Sequence, residues 1–235
     1  MTHFIAEFLG TLILILLGDG VVANVVLKKS KGENAGWMVI TTGWAFAVAV
    51  PVYIFAATSG AHFNPAVTVG LAVAGLFPWG EVPIYLSAQF LGAFVGAVLV
   101  WITYRLQYEE TTDKEAILGS FATIPAKRDN ISNLVTEIIG TFLLVFAIMG
   151  AQASEITAGL TPFVVGIIVW AIGLSLGGPT GYAINPARDL GPRIAHAVLP
   201  IKNKGGNQFD YAWIPVVGPI IGGILGALAY AVLFV

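Results

Sequence analysis

Long uncharged stretches alternate with short charged connections along this chain. Residues 34–80 and 156–187 contain no Asp, Glu, Lys or Arg. A helix needs about 20 residues to cross the hydrocarbon core of a bilayer, so each stretch holds one full span and a shorter segment. Four single spans are also predicted, at about 4–27, 82–104, 131–153 and 214–235. The pattern therefore predicts a membrane protein built from helices.

The composition supports this prediction and excludes other classes. Apolar residues make up 57% of the 235 positions and charged residues only 10%, whereas a soluble domain carries about 25% charged residues. The net charge of −2 provides no basic surface for nucleic acid. The 28 glycines are typical of closely packed membrane helices. The absence of cysteine excludes disulfides and thiolate metal sites.

The two halves of the chain repeat the same motifs in the same order. The recurring motifs are AEFLGT at 6–11 with TEIIGT at 136–141, NPA at 64–66 with NPA at 185–187, and GxxxG at 92–96 with GxxxG at 218–222. Each half has three spans, so the second half enters the membrane from the opposite side. We predict one domain, with a first repeat at 1–106, a linker outside the membrane at 107–130 and an inverted second repeat at 131–235. Inverted repeats place the functional site at their interface, near the bilayer midplane.

The two NPA motifs predict short helices that begin inside the membrane. Asn is a preferred N-cap and Pro is favoured at the first helical position. About 11 apolar residues follow Asn64 before a Phe-Pro-Trp-Gly turn, which is roughly 17 Å of helix and about half of a 30 Å core. The segment 185–199 is similarly short. We therefore expect two half-helices that meet near the middle of the membrane.

Each capping asparagine can use its side-chain oxygen on the helix and leave its NH2 group to donate into a pore. Both half-helices also direct the positive ends of their dipoles to this point. Asn64 and Asn185 are therefore predicted to hold a hydroxyl oxygen and to exclude cations and proton relays. The residues before each asparagine cannot be helical, and unwound backbone at membrane depth must be packed by protein or line a polar cavity.

These motifs resemble the major intrinsic protein family, which includes the aquaporins and glycerol facilitators. The resemblance rests on AEFLGT at 6–11, SGAHFNPAVT at 59–68 and GYAINPARDLGP at 181–192. It implies an all-α, aquaporin-like inverted repeat with six transmembrane helices and two re-entrant half-helices around one pore, in a homotetramer without cofactor or metal. Asp189 and Pro215 resemble the glycerol-conducting branch. The residues whose backbone carbonyls would line the pore are Gly60, Ala61, His62, Gly181, Tyr182 and Ala183.

The resemblance also implies a narrow filter of Trp44, Gly173, Tyr182 and Arg188. An arginine in a membrane segment is costly and is a functional candidate by default. Two aromatic faces could hold a carbon backbone while the guanidinium donates to successive hydroxyls. Gly173 is expected to leave room for a polyol, since water-selective relatives place a histidine there. Tyr182 replaces the phenylalanine of some bacterial relatives, so the size preference stays open.

Three acidic residues are assigned supporting roles. Glu7 and Glu137 occupy equivalent positions in the two repeats and are expected to accept N–H groups from the unwound loops. The alternative for intramembrane acids is coupling to protons or ions. Asp189 lies in the first turn of the second half-helix, where an acid complements the helix dipole.

The leading functional hypothesis is a passive channel for glycerol, water and other small uncharged solutes that excludes protons and ions. The alternatives are a mainly water-selective channel and a proton- or ion-coupled transporter. A membrane enzyme is disfavoured, because the sequence has no metal-ligand cluster and no convincing Ser/His/Asp set. The short tails and the lack of a targeting segment indicate a multi-pass protein of a bacterial plasma membrane.

The charge distribution disagrees with the resemblance about orientation. All eleven Lys and Arg residues fall in the first, third and fifth connections. The positive-inside rule places those connections in the cytoplasm, whereas the resemblance places both termini there. We follow the resemblance.

Overall fold

A computed structural model describes residues 1–157 and 159–235, which form ten helices. In chain order these are α1 (His3–Val26), α2 (Trp37–Ser59), α3 (Pro65–Val73), α4 (Val82–Thr103), α5 (Arg105–Glu110), α6 (Lys114–Gly119), α7 (Asn130–Ala153), α8 (Thr161–Leu176), α9 (Pro186–Val198) and α10 (Ile214–Phe234). The described part of the chain contains no strand.

Five of the helices are long and apolar enough to cross a membrane, namely α1, α2, α4, α7 and α10. Helix α8 is the sixth predicted span and has 16 residues, which is about 24 Å at the usual rise. The half-helices α3 and α9 are shorter still, with 9 and 13 residues. Both begin with a proline directly after an asparagine N-cap, as the NPA motifs predict.

Glycines allow equivalent helix pairs of the two halves to pack backbone against backbone. In the first half, a Cβ atom at Gly96 of α4 would lie 2.7 Å from the Leu12 carbonyl oxygen of α1. In the second half, a Cβ atom at Gly226 of α10 would lie 2.5 Å from the Phe142 carbonyl oxygen of α7. Small residues permit this close approach, which supplies dispersion contacts where lipid provides no hydrophobic driving force.

The linker between the halves is folded onto the helical core. It contains most of α5 and all of α6, and residues 120–123 after α6 are buried, including Phe121 and Thr123. Ile117, Leu118 and Phe121 belong to the main apolar cluster of the protein. Apolar side chains in a charged stretch therefore bring this segment down to α9, where it contacts the candidate site.

We predict that Gly92→Ala destabilises the protein, because the added Cβ atom would overlap the Phe8 carbonyl of α1. The free energy of unfolding should fall by about 1–3 kcal/mol, as for other overpacked sites. Gly20→Ala in α1 is the matched control, since a Cβ atom there has no atom within 4 Å. Thermal denaturation in detergent measures both variants. Equal stability of the two variants would contradict the close packing of α1 and α4.

Candidate pore

The two half-helices begin at buried asparagine caps. The Asn64 Oδ1 atom accepts from the Ala66 N–H at 2.9 Å. Asn185 Oδ1 accepts from Ala187 N–H at 3.0 Å and from Arg188 N–H at 3.2 Å. Both asparagine side chains therefore direct their NH2 groups away from their own helices.

Each of these NH2 groups reaches the loop that precedes the other half-helix. Asn64 Nδ2 donates to the Ile184 carbonyl, and Asn185 Nδ2 donates to the Phe63 carbonyl, both at 2.8 Å. These two bonds connect the N-termini of α3 and α9 directly. An amide NH2 has two N–H donors, so one N–H of each asparagine is used here. The sequence predicted that the whole NH2 group of each asparagine could donate into a pore. In the described part of the chain, one N–H of each asparagine is left for this purpose.

A buried carboxylate holds the first loop. The Glu7 side chain accepts from Ser59 Oγ at 2.6 Å, from the backbone N–H groups of His62 at 3.0 Å and Phe63 at 2.7 Å, and from Gln89 Nε2 at 2.8 Å. The residue is fully buried. The sequence indicated the backbone acceptor role, but Ser59 and Gln89 were missed.

Glu137 holds the second loop in the same way. Its oxygens accept from Thr180 Oγ1 at 2.6 Å and from the backbone N–H groups of Ala183 at 3.0 Å and Ile184 at 2.8 Å. Thr180 corresponds to Ser59 in the repeat, and a hydroxyl residue directly before Gly-x-x-x-Asn-Pro in both halves was the signal that could have found the pair. We name Glu7, Glu137 and these loop contacts the carboxylate cradles.

Both loops that the cradles hold have an unusual backbone conformation. Ala61, Phe63, Tyr182 and Ile184 have φ values of 54°, 49°, 40° and 43°. Side-chain-bearing residues in this left-handed region cost roughly 1–2 kcal/mol each. The N–H groups turn to the carboxylates, and among the described residues no hydrogen bond reaches the carbonyls predicted to line the pore. Those six carbonyls, at 60–62 and 181–183, remain available as acceptors.

A cavity follows the two loops through the helical bundle. Its lining includes both asparagines and the loop residues Gly60, Ala61, His62, Tyr182 and Ala183, with apolar side chains from α2, α7 and α8. A second cavity, which Gly181 lines, lies on the far side of Arg188. Trp44, Tyr182 and Arg188 line both cavities, so these three side chains surround the point where the cavities meet. We call this point the neck of the cavity.

The Arg188 guanidinium is fixed at this point. Its Cζ atom lies 4.2 Å from the centre of the Trp44 ring. Its Nη1 atom donates to the Phe121 carbonyl and to Asp19 Oδ1, both at 3.2 Å. Asp19 lies within the span predicted at 4–27, and neither Asp19 nor Phe121 belongs to a sequence motif.

Gly173 lies behind the predicted filter and is absent from the lining of both cavities. A Cβ atom at this position would lie 2.8 Å from Tyr182 Cζ and 2.9 Å from its hydroxyl oxygen. The space beside the glycine is therefore filled by the Tyr182 ring, which corrects the expectation that it is left for solute. A side chain at position 173 would therefore displace the Tyr182 ring.

Asp189 binds the linker and a second arginine. Its carboxylate accepts from the Thr123 N–H at 2.8 Å and the Thr123 hydroxyl at 2.6 Å. Arg193 Nε donates to Asp189 Oδ1 at 2.8 Å, and Arg193 Nη2 donates to the Thr123 carbonyl at 2.9 Å. Asp189 is thus in contact with the linker as well as in the first turn of α9.

Comparison with known proteins gives matches over the full length. The model of the family described as "Major intrinsic protein" matches residues 1–230. The chain is 61% identical to the "Probable glycerol uptake facilitator protein" of Thermotoga maritima, with 100% of each chain covered. It is 51% identical to the "Glycerol uptake facilitator protein" of Bacillus subtilis, covering 100% of this chain and 85% of the relative.

Among solved structures, the aquaglyceroporin from Plasmodium falciparum superposes with a TM-score of 0.86 and 31% identity. The match covers 98% of this chain and 95% of that one. Together with the helical architecture, this likeness confirms the predicted aquaporin-like fold.

We predict that Glu7→Gln destabilises the protein more than the same substitution does at an exposed glutamate. The glutamine amide has one acceptor oxygen, and its NH2 group would face donors of the cradle. Each lost hydrogen bond to a charged group should lower the free energy of unfolding by about 1.5–3 kcal/mol. Thermal denaturation in detergent measures the effect, with the exposed Glu155→Gln as the control. A Glu7→Gln protein as stable as the control would refute the support role of Glu7.

Proposed function

The chain belongs to the major intrinsic protein family, and from this premise we propose that it is a passive channel for glycerol and other small uncharged solutes. Relatives that carry the name glycerol uptake facilitator are 51% and 61% identical to it. The protein is a multi-pass protein of the bacterial cell membrane. The observation that carries the proposal is the cavity that joins apolar helix walls to a row of unpaired loop carbonyls.

This combination suits a polyol. Glycerol has a carbon chain that requires apolar contact and hydroxyl groups that require hydrogen-bond partners when they leave water. Apolar side chains from the helices, including Val48, Val52 and Val169, line the cavity. The loop carbonyls accept from the hydroxyl groups, while Asn64 and Asn185 donate to them. Binding at several weak sites in succession permits passage without tight capture.

The neck of the cavity supports selection by size. Trp44 and Tyr182 supply aromatic surfaces for the carbon chain, and Arg188 supplies donors to its hydroxyls. The positive ends of α3 and α9 disfavour cations at the midplane. Water also fits this path, so the proposal includes water permeation.

The geometry favours a channel over an ion-coupled transporter. Both acids on which coupling would depend, Glu7 and Glu137, accept several hydrogen bonds inside the protein. Protonation would remove acceptors that hold the loops. We assign these carboxylates a structural role together with Asp189.

The remaining proposals concern the repeats within the chain and the oligomeric state of the protein. We propose one channel domain per chain, with repeats at 1–106 and 131–235 related by inversion and joined by the linker. We further propose a homotetramer in the bilayer, which is the assembly that membership of this family implies. Native mass spectrometry from detergent tests the tetramer, and a monomer under mild conditions would contradict it.

Glycerol flux into proteoliposomes tests the proposed function. We expect stopped-flow light scattering to show fast glycerol influx that rises linearly with the glycerol gradient. The influx should be independent of imposed proton or sodium gradients. Influx that requires either gradient would support the transporter, and water flux without glycerol flux would support the water-selective channel.

We predict that Gly173→Ala lowers glycerol flux more than water flux. The added methyl group would overlap Tyr182 Cζ at 2.8 Å and shift the ring into the neck of the cavity. One misplaced methyl group in a fitted pocket is worth about tenfold or more in discrimination. Gly178→Ala is the matched control, because a Cβ atom there meets no atom within 4 Å. Paired water and glycerol permeabilities at equal protein density measure the ratio. An equal fall of both fluxes would show that Tyr182 does not set the neck.

A further inference from the structure

An acid outside the sequence motifs, Asp19, pairs with Arg188 directly behind the neck of the cavity. Asp19, in the interior of α1, is fully buried, and its Oδ1 atom lies 3.2 Å from Arg188 Nη1. The Arg188 side chain is 7% exposed and lines both cavities, whereas Asp19 lines neither. The carboxylate therefore meets the guanidinium from the protein side, and the solute meets it from the pore side.

The contacts of Asp19 indicate that the arginine is its target. In the part of the chain that the structure describes, Asp19 Oδ2 has no hydrogen-bond partner. Asp189 differs, because both of its oxygens bind Arg193 and one of them also binds Thr123. Asp189 thus connects segments of the fold, whereas Asp19 has Arg188 as its one polar contact among the described residues.

A gain in stability does not explain a buried ion pair of this kind. Removing two charges from water is costly, and an apolar residue of similar size in place of a buried pair is often neutral or stabilising. A carboxylate in a membrane helix is costly by itself as well. A guanidinium cannot lose its proton in a protein, so a filter that requires an arginine is positively charged unless an acid compensates it.

Two buried arginines lie near the neck, and each has a buried acid as its partner. Arg188 faces Asp19, and Arg193 faces Asp189 at 2.8 Å. All four side chains are buried. The Nη1 atom of Arg188 is used by Asp19 and by the Phe121 carbonyl, which leaves its remaining N–H groups for a solute.

We propose that Asp19 is a specificity-determining residue that cancels the charge of Arg188 inside the protein. This inference rests on the proposed channel function. The neck then offers hydrogen-bond donors without a net positive charge, which favours uncharged hydroxyl compounds over small anions. Without the carboxylate, the positive ends of α3 and α9 and the bare guanidinium would act together and attract anions.

Asp19→Asn tests the charge separately from the geometry. Asparagine has nearly the same volume and keeps one oxygen that can accept from Arg188 Nη1. Proteoliposomes with the purified full chain would be loaded with lucigenin, and chloride influx would be followed by its quenching, with potassium and valinomycin to balance charge. Glycerol influx would be measured on the same preparations.

We expect Asp19→Asn to raise chloride influx by about tenfold, the lower end of the range for a cleft lined by charge of one sign. Glycerol influx should change by a much smaller factor. Glu109→Gln is the control, because it removes an exposed carboxylate whose partner is the exposed Arg105. Unchanged chloride influx in Asp19→Asn, or an equal rise in Glu109→Gln, would overturn the proposal.

The double variant Asp19→Asn with Arg188→Gln removes both charges and should return chloride influx to the wild-type level. If Asp19→Asn alone does not fold, Arg188→Gln provides the second test. It leaves the carboxylate uncompensated at the neck and should raise K⁺ influx relative to the double variant, although the half-helix dipoles keep K⁺ influx low in both. Equal K⁺ flux through these two variants would overturn the proposal. A wild-type protein without glycerol flux would refute the proposed function, while the chloride comparison would still decide the role of Asp19.

Discussion

The structure depends on one constraint, which is that unwound backbone at membrane depth must have its N–H groups satisfied by the protein. Two half-helices that start in the middle of the bilayer create this problem twice, once in each loop that leads to an NPA motif. Glu7 and Glu137 solve it with the same contacts, a hydroxyl group and two consecutive backbone N–H groups. Each carboxylate is an acceptor only, so it suits a site that consists of donors.

The orientation of the loop carbonyls follows from this arrangement. Because the N–H groups turn to the buried carboxylates, the carbonyls of residues 60–62 and 181–183 are left as acceptors beside the cavity. The asparagine caps then link the two loops across the midplane, through 2.8 Å bonds to Ile184 and Phe63. Hydrogen bonds thus hold the polar wall of the cavity in place, and the spans form its apolar wall. We propose that such a pathway selects by hydrogen-bonding geometry and width.

The sequence was informative wherever a local pattern has a local physical cause. Apolar stretches predicted four of the spans to within one residue at each end, although two of them contain acids. The Asn-Pro pairs predicted the starts of α3 and α9. The repeat of Glu7 at Glu137 indicated the cradles, because the same acid recurred before the same unwound loop.

Contacts between distant segments could not be predicted in this way. The filling of the space beside Gly173 by Tyr182 depends on how α8 and the second loop pack together. The linker carries no motif that places Phe121 beside Arg188, or Thr123 beside Asp189. Asp19 is an acid in a membrane span, and its partner Arg188 is 169 positions away. Pairing across that distance is set by tertiary packing, and one sequence does not encode it in a local pattern.

We propose that the two opposed half-helix N-termini conduct neutral solutes and interrupt proton transfer. Proton flux through glycerol-conducting proteoliposomes that contain pyranine tests this role, under an imposed pH gradient and with valinomycin and K⁺ to balance charge. We expect the proton flux of protein-free liposomes at every protein density. Proton flux that rises with protein density in step with glycerol flux would show that the half-helices do not interrupt proton transfer.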